Sequence, residues 1–151
     1  MKLFRQILIG ISGMLLFTAC QDMPFFTEYK SVDTKGWYAT DVFVYKLPEV
    51  EENVQCNAKV CVRALQNYEY DNLALVVRMY EGKKEVSVDS VYLKLFDENG
   101  VSTGIGFPHT EYSCDIKSKK LKPEKKYKFK ISHIMRLDPL QGISEVGIEL
   151  K

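Results

Sequence analysis

The chain has 151 residues, with 21 basic against 20 acidic side chains and a formal net charge of +1. That balance gives no electrostatic reason to expect nucleic acid as a partner, and the length suits one domain with a real core but not two. Nine tyrosines, eight phenylalanines and a single tryptophan favour strands over helices.

The first element is a leader. Lys2 and Arg5 give a positive start, and 13 uncharged residues run from Ile7 to Ala19. The stretch tapers through Leu16-Phe17-Thr18-Ala19 to Cys20, which reads as a signal peptide over residues 1–19 with a bacterial lipoprotein-type cleavage box. It falls short of the roughly 20 apolar residues that span a bilayer. Phe17 also departs from the small residue that a soluble secretory signal carries at that place. The mature chain is therefore expected to begin at Cys20, modified by diacylglycerol and an N-acyl chain, with no other cofactor. One acyl chain holds a protein only marginally, at about 0.8 kcal/mol per buried methylene, whereas two or three hold it stably. Removing the leader deletes Lys2 and Arg5 and no acid, leaving 19 basic against 20 acidic residues.

Residues 20–36 read as the acylated cysteine and a polar tether, and residues 37–151 as the domain. Strand signals then follow one another. Trp37 to Tyr45 ends at Pro48; Val60 to Leu65 and the nearly all-apolar Leu73 to Tyr80 come next, before a turn at Glu81-Gly82-Lys83-Lys84. In Val88 to Phe96, Val91, Leu93 and Leu95 share one face while Tyr92 and Lys94 share the other. Asp97-Glu98-Asn99-Gly100 carries the Asn-Gly signal of a two-residue hairpin loop, and Gly104 and Gly106 suggest a bulge. Tyr112 to Ile116 is short. Tyr127 to His133 alternates cleanly, with Tyr127, Phe129, Ile131 and His133 on one face. At the end Val146, Ile148 and Leu150 oppose Glu145, Gly147 and Glu149. Many short strands punctuated by turns predict an all-β fold, a single antiparallel β-sandwich of jelly-roll-like form.

The chemistry-bearing residues are sparse, and no catalytic residue is assigned. His109 and His133 lie 24 residues apart, outside any metal or base motif, and no serine sits in a nucleophile elbow. His133 reads as a core histidine and His109 as an exposed loop residue. Asp97, Glu98 and Asn99 lack the alternation and distal glutamate of a calcium loop, and no metal site is assigned. Cys56, Cys61 and Cys114 lack zinc spacing and allow one disulfide or none. Eight lysines fall within 14 residues from Lys117 to Lys130, against Glu124 alone. Such a run reads as a solvated loop with edge-strand lysines. Its functional reading is an anionic contact through Lys119, Lys120, Lys122, Lys125 and Lys126, toward lipid head groups, glycan or an acidic partner.

Three blocks carry a resemblance. The first is Arg63 with the corner Tyr68-Glu69-Tyr70-Asp71-Asn72-Leu73. The second is Asp89-Ser90-Val91-Tyr92-Leu93-Lys94-Leu95 followed by Asp97, Gly100 and Gly104-Ile105-Gly106. The third is Met135-Arg136 with Leu140-Gln141-Gly142-Ile143-Ser144-Glu145-Val146-Gly147-Ile148. Behind a lipoprotein leader, their order and spacing resemble the gliding-motility lipoprotein GldH family from about Trp37 to Lys151. Val101-Ser102-Thr103 stands where that family often has a tryptophan, and the stretch before Tyr127 is unusually basic.

The resemblance implies an envelope lipoprotein of the gliding apparatus, whose motor is functionally linked to type IX secretion, with no enzymatic activity attributed to it. Arg63, Tyr70, Asn72, Arg136 and Gly142 carry over as positions that shape the fold or a partner surface. The expectation is thus a non-catalytic protein, lipid-anchored on the periplasmic side of the inner or outer membrane, acting through protein partners in a gliding or secretion assembly. The alternative is a glycan-binding sandwich, which requires at least two of Trp37, Tyr68, Tyr70 and Tyr112 side by side in an exposed groove.

Overall fold

A computed structural model describes residues 23–151, so the leader and Cys20 lie outside the described residues. Eight strands follow in chain order: β1 (Phe26–Ser31), β2 (Phe43–Lys46), β3 (Val54–Ala64), β4 (Asn72–Glu81), β5 (Lys84–Lys94), β6 (Thr110–Leu121), β7 (Tyr127–His133) and β8 (Ile143–Leu150). They form two four-stranded antiparallel sheets, ordered β1-β8-β3-β6 and β2-β7-β4-β5. Two stacked sheets with this alternating order make a jelly-roll sandwich.

Period-two patterning places the core between the sheets. Tyr127, Phe129, Ile131 and His133 on β7 all point inward and are buried. They meet Val146, Ile148 and Leu150 of β8 across the sandwich, in one continuous core. The Tyr45 hydroxyl donates to the Val146 carbonyl at 2.7 Å, so the one buried polar tip of β2 finds its partner in the opposite sheet.

Four sequence expectations are corrected. Residues 26–31 are not tether but the edge strand β1, pairing with β8 from Phe26–Leu150 to Ser31–Glu145. The first expected strand shrinks to Phe43–Lys46, because Trp37 instead bridges Leu140 outside any strand. The Asn99-Gly100 signal belongs to a wider loop, not a two-residue hairpin. There Asp97 accepts from the backbone N–H of Asn99 and Val101, both at 2.8 Å. Finally, β6 runs through Leu121, well past Ile116. Between Cys56 and Ala58 of β3 lies one residue, whereas between their partners Lys119 and Ile116 lie two. This β-bulge inverts the inward–outward parity, so Lys119 and Leu121 turn into the interior.

His133 fills the core as expected. The Met135 N–H donates to its Nδ1 at 3.3 Å, which leaves Nε2 to donate to the Trp37 carbonyl at 3.0 Å. Burial holds this imidazole below its ordinary 6.5, against the opposing pull of the Trp37 carbonyl and of Asp138 and Asp41. The unfolded chain therefore binds the proton more readily. Its contribution to stability is full above 6.5 and is lost as pH falls through the lower folded value. Denaturant midpoints taken from neutral to mildly acidic pH should fall more steeply for the native chain than for His133→Gln; parallel slopes would refute the assignment.

Candidate functional site

The topology gives the sandwich two distinct ends. Ala64 pairs with both Thr110 and Ile143, and Asn72 pairs with Lys94. Connections 32–42, 65–71, 95–109 and 134–142 therefore gather at one end. The other end holds the start of β1, the β4–β5 turn, residues 47–53 and 122–126, and Lys151. The chain enters the domain at this second end, so the four-loop end is the far one.

Trp37 closes the far end from inside. It is fully buried, exchanges backbone hydrogen bonds with Leu140 at 2.9 and 2.8 Å, and donates its indole N–H to the Asp41 carbonyl at 2.9 Å. Its ring contacts Phe43 and His133 at centroid distances of 5.3 and 5.1 Å. Further ties cross between loops. The Ala39 N–H donates to Asp138 Oδ1 at 2.9 Å, and Gln141 Nε2 donates to the Lys35 carbonyl at 2.8 Å. The Leu65 N–H reaches the Gly142 carbonyl at 2.8 Å. Gly142 adopts φ +82° with its α-carbon against the Tyr68 backbone, a position where any Cβ would collide. These bonds make connections 32–42, 65–71 and 134–142 a fixed surface, unlike an unsupported loop.

Tyr70, Asn72 and Arg136 come together on that surface. Together with Ile134, Met135 and Leu137 they line a cleft of about 280 Å³. A second cleft of about 320 Å³ lies on the other side of Tyr70 and Leu137, toward Asn67 and Gln141. Tyr70 stands edge-on to Tyr68 at 5.6 Å, and the Tyr68 hydroxyl donates to the Asn72 carbonyl at 2.8 Å. Beside them Leu137 and Ile134 are about half exposed, and on the 95–109 loop Ile105 and Phe107 are 83% and 84% exposed. Ile105 and Phe107 escaped the sequence reading because two apolar residues among Gly104, Gly106 and Pro108 carry no period.

The remaining sequence candidates lie elsewhere. Gly142 is buried beneath the surface. Arg63 sits on the outer face of the first sheet, with Nε 2.9 Å from Glu111, a terminal nitrogen 2.5 Å from Glu145, and its guanidinium 4.2 Å above the Tyr29 ring. These hydrogen bonds, Glu111 first, push its pKa up further. Arg63 on β3 thereby joins β6, β8 and β1. Lys120, Lys122, Lys125 and Lys126 are exposed at the entering end, where Lys125 lies 3.1 Å from Glu81 and Lys126 lies 3.7 Å from Glu49. Lys119 is no part of that surface: the bulge turns it inward, and it is 5% exposed beside Asp89.

Trp37, Tyr68 and Tyr112 are buried, so the exposed aromatic groove that sugar binding required is not formed. His109 approaches Ser144 Oγ at only 3.5 Å, while that hydroxyl donates to the Arg63 carbonyl at 2.9 Å. The serine proton is directed away from the imidazole, which is the wrong arrangement for a nucleophile and base. Cys56, Cys61 and Cys114 are free thiols.

The family model described as "GldH lipoprotein" matches residues 24–150. Across its whole length, the chain is 27% identical to the gliding motility lipoprotein GldH of Flavobacterium johnsoniae, covering 98% of that protein. It is 24% identical to a GldH homolog of Christiangramia forsetii over 97% of this chain and 94% of that one. A crystal structure of a protein from Sulfurospirillum deleyianum is similar with a TM-score of 0.47 and 12% identity, over 83% of this chain and 98% of that one.

Proposed function

This chain belongs to the GldH lipoprotein family, and from that membership we propose a non-catalytic, lipid-tethered component of a gliding- or secretion-linked envelope assembly that works by protein contact at its far end. Lipid on Cys20 confines it to two dimensions and raises its effective concentration near membrane partners. The observation that carries this reading is the placement of Ile105 and Phe107. They are large apolar side chains, nearly fully exposed on the 95–109 loop, at the end opposite the one where the chain enters. Exposed apolar groups clustered on one surface mark protein-contact sites. Around them the same four loops carry seven acidic residues against Lys35 and Arg136, which suits a partner that is apolar and basic.

The test is site-specific photo-crosslinking in intact envelopes, from position 107 and, as a control, from position 83 at the entering end. A motility or secretion component joined to position 107 alone is the expected result. That adduct should weaken about tenfold or more when Ile105 and Leu137 are changed to serine, the size of effect that removing apolar anchors produces at an interface. Equal adducts from both positions, or none from 107, would overturn the proposal.

A further inference from the structure

The two outer sheet faces are charged differently. On the β1-β8-β3-β6 face acids and bases neutralise one another: Arg63 engages Glu111 and Glu145, and Lys59 lies 3.9 Å from Asp115. On the β2-β7-β4-β5 face, Lys46, Arg78, Lys128 and Lys130 share the surface with Glu85. That carboxylate is already engaged, 3.7 Å from Arg78 and accepting the Tyr80 hydroxyl at 2.9 Å.

The register makes this arrangement unfavourable for the isolated domain. Lys46 is directly opposite Lys128, and Arg78 is directly opposite Lys130. Like charges at directly paired positions destabilise a sheet. The Tyr80 ring lies between the two lysines, with ammonium groups 5.4 and 4.9 Å from its centroid. The ring attracts both cations through its π face but neutralises neither. Two adjacent rows of the sheet therefore present cations across three strands; Arg78 reaches Glu85, whereas among the described residues Lys46, Lys128 and Lys130 pair with no carboxylate within 4 Å.

We propose that this face rests on the anionic phospholipid head groups of the membrane that carries the anchor. The proposal depends on lipid attachment at Cys20, as proposed above. Charge complementarity favours a phosphate surface, and so does distance: from Cys20 to Phe26 the chain spans at most about 20 Å even when fully extended. The domain is thus held within one molecular diameter of the head groups, where several basic side chains acting together bind an anionic surface. Lying on this face would leave the far-end loops pointing along the membrane, toward neighbouring envelope proteins.

The test uses the mature lipidated chain in vesicles of phosphatidylcholine, alone or mixed with phosphatidylglycerol, and reads lysine acylation rates by mass spectrometry. In the anionic vesicles Lys46, Lys128 and Lys130 should react about tenfold more slowly. High salt should abolish that protection, while Lys59 and Lys117 on the other face stay unchanged. The Lys128→Glu/Lys130→Glu variant should lose protection at Lys46 and yet unfold at a higher temperature, because it relieves both like-charge pairs. Flotation separates the two readings. A chain that fails to float with either vesicle refutes the anchor, whereas a chain that floats but shows equal reactivity on both faces refutes the docking face alone. Protection in native envelopes without protection on anionic vesicles would overturn the lipid assignment in favour of an acidic protein.

Discussion

Lys119→Ala is expected to destabilise the fold by about 3–5 kcal/mol, because it removes one partner of a buried ion pair and strands the other. The ammonium lies 2.5 Å from Asp89 Oδ2 and 2.8 Å from Ser87 Oγ, and the two charged side chains are only 5% and 10% exposed. Burial by itself would push the Asp89 carboxyl up. The hydrogen bonds from Lys119 and Ser87, with the lysine charge, outweigh it and hold the group below its ordinary 3.8. The stability this pair contributes is therefore full above 3.8 and is lost as pH falls through the lower folded value. In Lys119→Ala the dependence should reverse, since protonating the stranded carboxylate relieves its burial. A joint Lys119→Met/Asp89→Leu change should recover most of the loss, as apolar replacement of buried pairs commonly does. Chemical denaturation of the three variants decides it. A single-variant cost under about 1 kcal/mol would show that the pair is effectively solvated.

Gly142→Ala should cost about 2–4 kcal/mol, from positive-φ strain together with a forced displacement of packed backbone. A Cβ there would lie 2.7 Å from Tyr68 Cα and 2.8 Å from Tyr68 N, groups that cannot swing aside. Gly82 supplies the control. Its φ is also positive, at +59°, but nothing lies within 4 Å of its Cβ direction, so Gly82→Ala should show only the conformational penalty of about 1 kcal/mol. Gly142→Ala should also speed proteolysis within residues 65–71, since the Leu65–Gly142 bond ties that loop down. Equal costs for the two alanines would mean that the Tyr68 contact gives way freely.

What could be read from the sequence follows from how each side chain is used. The faces of β5, β7 and β8 were legible because strict alternation there coincides with burial, from Val91 and Leu93 to Tyr127 through His133. Strand β1 was hidden at an open edge of the sandwich. Its Lys30 lies 5.5 Å from the Tyr45 ring and 3.3 Å from Glu28, so polar residues occupy inward positions without being deeply buried. The end of β6 was hidden by the bulge, since no periodicity announces an extra residue. Tyr70, Asn72 and Arg136 were found together through their resemblance to a family, but nothing local distinguished them from Arg63 and Gly142, which act within the fold. The cationic sheet face was invisible for a topological reason. Lys46, Arg78 and the Lys128–Lys130 pair come from three separate stretches, and only the register sets them opposite one another. The lysine run drew attention to a neighbouring loop instead.

The pairing of β1 with β8 also bears on when this protein is able to fold. Among the described residues β1 is the first strand in chain order, and its single hydrogen-bonded neighbour, β8, is the last. β8 is also inserted between β1 and β3, so the first sheet has no centre until β8 is in place. Contacts between such distant parts of a chain form late and slowly. A polypeptide threaded through a membrane N-terminus first must avoid becoming compact too early. Here the strand order postpones closure of the first sheet until β8 is available, a delay of the kind such threading would require and one built into the topology itself.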